Sequence, residues 1–367
     1  MPTRRSRRRT GAVSSPATWS QSSLACSMQR SELTIDLGAV RRNVKRLLDV
    51  LEGAQLWAVV KANGYGHGAV DVAGAALGAG ASVLCVATVP EGLALREKFG
   101  ETRILVMGPT ATSGELARAR DAQLELVASS GEVPEGVRVH VKLDTGMGRW
   151  GLSELPEPGA NVVGLMSHLA SADCDPEFTE TQIVRFREAT EPYRHLTRHL
   201  ANSAGALRFP GARFDAVRCG IAIYGLSPFG GDPGEDGLEP ALHWRSRLAQ
   251  VRLLGAGEST GYGRRFVAER PTWIGIVPVG YADGFRRDLT GTEIRVGGEL
   301  RRVVGTVSMD ALTVELDREL PVGMPVTLIG DEVLAEDHAR VAGTINYEIV
   351  CGINTDPART RRVVVDS

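Results

Sequence analysis

Residues 57–68 read W-A-V-V-K-A-N-G-Y-G-H-G. An apolar run ends on a single amine, Lys61, and glycines at 64, 66 and 68 then alternate with the phenol of Tyr65 and the imidazole of His67. A lysine partly withdrawn from water gives up some of its preference for charge and becomes a nucleophile able to form a Schiff base. Glycines beside it let the backbone come close to a ligand. Singly, such features have plainer readings. A lysine ending a strand is a solvated cap. His168, at the end of another apolar run, is a satisfied core residue. Ser203 is a helix N-cap, and Tyr262, between two glycines, is a turn tyrosine.

The elements that must hold these groups emerge from hydrophobic patterning. Short β-rich runs at 56–61, 83–87, 103–107, 124–128, 137–143, 162–168, 199–202 and 217–224 alternate with helix-like stretches such as 68–77, 90–99, 113–121 and 175–197. Eight strands with helical crossovers predict an α/β fold, a (β/α)8 TIM-like barrel over residues 31–240. The spacing is short, so some crossovers must be turns. In such a barrel the active site lies at the C-terminal ends of the strands, where Lys61 falls. A strand at 31–37 and a helix at 38–51 precede it. After residue 240, valine-rich runs at 250–254, 272–278, 294–296 and 313–316 alternate with glycine-rich turns. This texture predicts a C-terminal all-β domain over 241–367.

The stretch A-V-V-K-A-N-G-Y-G-H-G resembles the pyridoxal-phosphate attachment motif of the alanine racemases. The likeness continues in order through V-K-L-D-T-G-M-G-R-W-G (141–151), S-H-L-A (167–170), H-L-A-N-S-A (199–204) and V-R-C-G-I-A-I-Y-G (217–225). In the second half come G-Y-G-R-R-F (261–266), V-G-Y-A-D-G-F-R-R (279–287), V-G-T-V-S-M-D (304–310) and I-N-Y-E (345–348). The resemblance implies that Lys61 holds pyridoxal 5'-phosphate as an internal aldimine and that the chain interconverts L-alanine and D-alanine, supplying D-alanine for peptidoglycan. Racemisation removes a proton from one face of Cα and returns one to the other, so two opposed bases are expected. By resemblance these are Lys61 and Tyr262, the latter from the partner in a homodimer with shared active sites. A phenol titrates near pH 10 in water, so a tyrosine base needs cationic neighbours.

The resemblance also places Arg218 against the pyridine nitrogen, with His168 orienting it. An arginine cannot give up its proton, so that nitrogen stays unprotonated. Ser203, the backbone of Gly220 and Ile221, and the phenols of Tyr65 and Tyr347 are implied phosphate donors. Arg149 is implied at the cofactor phenol oxygen and the substrate carboxylate. Met309 and Asp310 belong to a partner segment near that carboxylate. Tyr281 lies at the entrance, which Tyr347 also narrows. Lys142 matches a lysine that relatives carry as a carbamate; a plain strand lysine paired to a carboxylate is the alternative. Cys219 stands where relatives often have proline, and no roles are assigned in the C-terminal stretch 351–362.

Net charge is −2 and the sequence pI is about 6.4, so nothing points to nucleic acid. The five cysteines form neither a disulfide framework nor a metal-ligating pattern, which suits a reducing, cytoplasmic setting. No run is long and apolar enough to span a membrane. Residues 1–30 read as a basic, disordered extension, with Met28 as a natural start; a transit peptide and a twin-arginine signal are the other readings. The alternative within enzymes is a racemase of serine or of broader range; a second class is a non-catalytic pyridoxal-phosphate carrier built on a barrel alone, and a decarboxylase is a further option.

Overall fold

A computed structural model describes residues 29–110, 112–130 and 133–367. Residues 1–28, the bulk of the basic extension, lie outside the described residues. Arg30, assigned to that extension from sequence, instead donates to the carboxylate of Asp283 at 2.7 and 2.8 Å. The Asp283 side chain is fully buried, and a buried carboxylate needs a cation.

The first strand, β1 (Glu32–Asp36), ends on the cap of the first helix. The Asp36 carboxylate accepts from the N–H groups of Gly38 and Ala39, starting the helix Leu37–Leu51. That helix buries Val40, Val44, Leu47 and Leu51 along one stripe. Eight parallel strands then close into a barrel: β2 (Gln55–Val59), β3 (Val83–Val86), β4 (Arg103–Val106), β5 (Glu125–Ala128), β6 (Val139–Lys142), β7 (Val162–Met166), β8 (Thr197–His199) and β9 (Ala216–Cys219). Closure is made by β2 against β9, with Trp57 opposite Arg218. Among the described residues the connections β5–β6 and β6–β7 carry no helix, in keeping with the tight spacing.

All eight predicted strands are present, with shifted ends. β9 stops at Cys219 and not at residue 224. Gly220 leaves the extended region (φ −106°, ψ −94°) and Ile221–Tyr224 form a 3-10 turn. β8 is Thr197–His199, earlier than its predicted 199–202, because Asn202 caps the helix Ser203–Arg208 through Gly205 N–H.

The second region is a sheet of β10 (Leu242–Arg247), β11 (Gln250–Leu254), β14 (Thr272–Val277), β15 (Glu293–Val296), β16 (Glu299–Val304), β17 (Leu312–Leu316), β18 (Pro325–Ile329) and β19 (Arg361–Val365), with a small hairpin of β12 (Ser259–Thr260) and β13 (Phe266–Val267). Two short helices, Ala335–Ala342 and Asn346–Cys351, interrupt it. The nine-stranded order is β11-β14-β17-β16-β15-β18-β10-β1-β19. β1, which precedes the barrel in sequence, therefore belongs to this sheet: it runs antiparallel to β10 and parallel to β19. Among the described residues no helix is long and apolar enough to cross a membrane.

Barrel strands buried on both faces normally read as continuous apolar runs. β6 does not. Its V-H-V-K alternation sends His140 and Lys142 to one face and Val139 and Val141 to the other. Glu125 on β5, His199 on β8 and Arg218 on β9 are buried too. The barrel thus carries a polar file through its core.

Candidate active site

β2 ends just before Lys61, and the chain after that lysine winds left-handed: φ is 52° at Ala62, Asn63 and Tyr65, 60° at Gly64 and 81° at Gly66. Such a turn is costly for residues with a Cβ, roughly 1–2 kcal/mol each, so it must be held from outside. Ala62 N–H donates to Glu91 Oε1 at 2.8 Å, and the Asn63 side chain accepts from Ala69 N–H. At Gly66 a Cβ would sit 2.6 Å from the carbonyl of Val350. His67, fully buried, closes the turn: its Nδ1 lies 2.9 Å from the Tyr65 carbonyl, to which it must donate. The Arg362 guanidinium donates to the His67 carbonyl.

This turn delivers Lys61 and Tyr65 to a cavity of about 450 Å³ at the mouth of the barrel. Arg149, His168, Ser203, Arg218, Gly220, Ile221 and Tyr347 line the same cavity. Burial, and then the positive charge of Arg149, lowers the Lys61 pKa, with Glu91 pulling the other way. Tyr65 stacks on Tyr224 at 5.0 Å, and burial raises its phenol pKa, so it stays an O–H donor. Burial raises Tyr347 likewise. A Cβ on Gly220 would meet Tyr65 Oη at 2.5 Å, so only glycine lets the phenol reach that backbone. Ser203 Oγ accepts from Gly220 N–H at 3.1 Å. Ile221 opens a 3-10 turn, where its N–H has no intrahelical acceptor.

Arg218 is the most heavily bonded group in the cavity wall. Nη1 donates to the carbonyl and to Nδ1 of His199; Nη2 donates to the carbonyls of Ser167 and Leu200 and to His168 Nδ1, 3.1 Å away. Burial lowers its pKa to about 10, which still leaves it cationic at neutral pH. His168 is pushed well below its ordinary range by burial and then by Arg218, so it is a neutral acceptor.

Lys142 is only 3% exposed, and burial followed by Arg149 and Arg218 lowers its pKa to about 8. No described carboxylate bonds it; its Nζ lies over the ring of Trp150, over which the exposed Arg149 also lies.

The remaining predicted residues sit elsewhere on the protomer. Tyr262 and Tyr281 line a larger, open cavity of about 1210 Å³ that meets the first at Glu348. Tyr262 is 71% exposed and Met309 52%. Asp310 accepts from Arg359 at 2.6 Å, and Arg359 also bonds buried Asp283 at the end of the Tyr281 turn. Sequence reading missed Asn202, Met107 and Cys351 in the cavity wall, and Tyr224 beneath Tyr65, whose phenol donates to the Val59 carbonyl. Tyr224 lies inside a quoted motif, which was the available signal. The unassigned C-terminal stretch supplies Cys351, Arg359 and Arg362.

A (β/α)8 barrel with a lysine at one strand mouth, an arginine deep in its wall and a following β sheet defines a fold class of lysine-bearing barrels. Within it, the family models for the N-terminal and C-terminal domains of alanine racemase match residues 35–228 and 241–363. The chain is 40% identical to the alanine racemase of Geobacillus stearothermophilus, over 87% of this chain and 90% of that one. It is 37% identical to that of Lactiplantibacillus plantarum, over 92% and 98%. Among solved structures it superposes on the biosynthetic alanine racemase of Pseudomonas aeruginosa with a TM-score of 0.85 at 35% identity, covering 92% of this chain and 100% of that one. The alanine racemase of Streptomyces coelicolor gives 0.84 at 37% identity, covering 92% and 98%. The chain belongs to the alanine racemase family.

Proposed function

We propose that the protein is a pyridoxal-phosphate-dependent racemase of alanine, acting as a homodimer whose two sites are each built from both subunits. The observation that carries this reading is the convergence of a nucleophilic amine, a non-titrating cation and a set of N–H and O–H donors on one cavity.

The cavity residues fit the cofactor by their donor chemistry. Lys61 has the lowered pKa that attack on an aldehyde needs. The Ser203 hydroxyl, the Ile221 N–H and the raised-pKa phenols of Tyr65 and Tyr347 are donors suited to a phosphate, and the Gly220 N–H would share its bond to Ser203 Oγ with it. When bound, the cofactor supplies an aldehyde carbon that captures the substrate amine and a ring that acidifies Cα–H.

The chain supplies the rest. Arg218 would face the ring nitrogen and, unable to give up its proton, would leave that nitrogen unprotonated, which would limit how far the ring drains charge from Cα and so discourage side reactions. Arg149 meets the substrate carboxylate. Lys61 would hold the cofactor and would take and return the Cα proton on the face of D-alanine. Tyr262 of the partner subunit serves the face of L-alanine, and Met309, Asp310 and Tyr281 approach from that side. A monomer leaves Tyr262 exposed and outside the Lys61 cavity, which supports its use by a second copy. Tyr347 and Tyr281 restrict the side chain to something as small as methyl. Lys142, crowded by cations and without a carboxylate, is a site for carbamylation: its neutral amine attacks carbon dioxide, loses a proton and becomes the anion that Arg149 lacks. The product D-alanine serves peptidoglycan assembly.

Lys61→Ala tests the reading. Visible cofactor absorbance and alanine racemisation should both disappear, and a variant that still racemises alanine would overturn it. Initial rates across L-amino acids distinguish alanine from serine or broader use, and carbon dioxide release would reveal decarboxylation.

A further inference from the structure

Behind Arg218 a file of side chains runs from β9 through β8 and β6 to β5. Arg218 Nη1 lies 2.7 Å from His199 Nδ1, His199 Nε2 lies 2.9 Å from His140 Nδ1, and His140 Nε2 lies 3.0 Å from Glu125 Oε2. All four residues are buried, the two histidines fully. Glu125 is in turn gripped by Arg103 through both oxygens, at 2.9 and 3.0 Å.

The two ends of the file dictate its direction. A guanidinium only donates and a carboxylate only accepts. Nδ1 of His199 must therefore be a lone pair, so its proton is on Nε2. That proton points at Nδ1 of His140, which must also be a lone pair, leaving the His140 proton on Nε2 to meet Glu125. With both rings neutral, every bond has one donor and one acceptor, all aligned the same way. A proton on His140 Nδ1 would turn His199 round and set two donors face to face at Arg218. Burial lowers the pKa of both histidines, most strongly His199, which is also beside Arg218.

The surroundings are shaped to this file. The Trp57 ring packs 4.5 Å from that of His199 and 5.6 Å, edge-on, from that of His140. On β7, a Cβ at Gly164 would fall 2.2 Å from His140 Nδ1. The Gly164 backbone is not left-handed, so space for the imidazole, and for the Thr197 carbonyl 2.8 Å from such a Cβ, is what requires glycine there.

We propose that Glu125 and His140 are positioning residues: they fix the Nε2–H tautomer of His199, which holds the Arg218 guanidinium in the one orientation that presents it to the cavity. The consequence at the cofactor rests on the function proposed above; the tautomers do not.

The test is long-range ¹H–¹⁵N spectroscopy of the full-length holoenzyme labelled in histidine, with Glu125→Gln, Glu125→Asp and Gly164→Ala alongside. In the wild type both histidines should be neutral Nε2–H tautomers from about pH 6 to about pH 8, where free histidine titrates. A Gln side chain can donate as well as accept, so Glu125→Gln should admit the reversed tautomer. It should lower kcat about tenfold, the worth of one buried hydrogen bond, with little change in KM. Glu125→Asp should recover most of that loss. Gly164→Ala, which displaces the ring and leaves the carboxylate in place, should reproduce the Gln effect. An imidazolium or an Nδ1–H tautomer at either histidine of the wild type overturns the proposal, whether or not the variants fold. Unchanged kcat in a folded Glu125→Gln whose tautomers have reversed overturns it as well. Expected tautomers in a protein that fails to racemise alanine would instead sink the proposed function and leave the file intact.

Discussion

Lys61 and Lys142 are two amines in a field of their own sign, with Arg149 acting on both and Arg218 reaching Lys142 as well. The same physics gives them different uses. Lys61 sits at the cavity edge, free to bond a ligand. Lys142 is walled in, and an amine with a pKa near 8 presents more neutral base as pH rises. At fixed carbon dioxide pressure the proposed carbamate should therefore increase from about pH 7 to about pH 9 and vanish on acidification. A ¹³C signal from labelled carbon dioxide, absent in Lys142→Ala, would report it; no signal at high pH would end the idea. At this scale the sequence was readable where a motif was local. Lys61, Tyr65 and Gly220 could each be located from flanking residues. His67 could not be explained from its neighbours, because its role depends on the left-handed backbone around it. Glu125, His140 and His199 were invisible for another reason: each is on a different strand, and only barrel closure brings them together. The V-H-V-K alternation of β6 was the one trace, since it places two polar groups on a face that an ordinary barrel keeps apolar.

At the scale of elements, what matters is where strands stop. β9 ends at Cys219 because from Gly220 on the chain must swing its N–H groups towards Ser203 and leave room for Tyr65 Oη. Gly220→Ala should push the phenol aside and weaken cofactor retention at least tenfold, since a 2.5 Å contact with a packed ring cannot be relieved cheaply. Dialysis followed by absorbance measures this. Retention equal to wild type would mean that Tyr65 Oη contributes nothing to the phosphate. Alternating apolar runs predicted the strands well, because their period is a property of the local chain. They overran at β9 because I-A-I-Y is as apolar as a strand, and only its tertiary setting makes it a 3-10 turn.

For the whole molecule, the separation of Lys61 from Tyr262 has an arithmetical consequence. A protein carrying Lys61→Ala and one carrying Tyr262→Phe should each be nearly inactive, because a lost general base costs roughly 10²- to 10⁴-fold. With the proposed shared sites, a mixed dimer would rebuild one intact site out of two. Random reassortment of equal amounts should restore roughly a quarter of wild-type activity if twofold symmetry holds. No recovery after subunit exchange would show that each chain uses its own tyrosine.

The pairing of β1 with β19 sets a schedule for making the protein. β1 is made before the barrel, yet one of its two neighbours in the sheet is β19, made after the barrel and the rest of the sheet, with Leu33 opposite Arg362. That edge of β1 stays bare while the barrel and most of the sheet are translated, and a bare edge strand invites pairing with other chains. The sheet can be finished only once residues 361–365 have been made. Loss of residues 361–365 would thus unmake a neighbour of the strand that precedes the barrel.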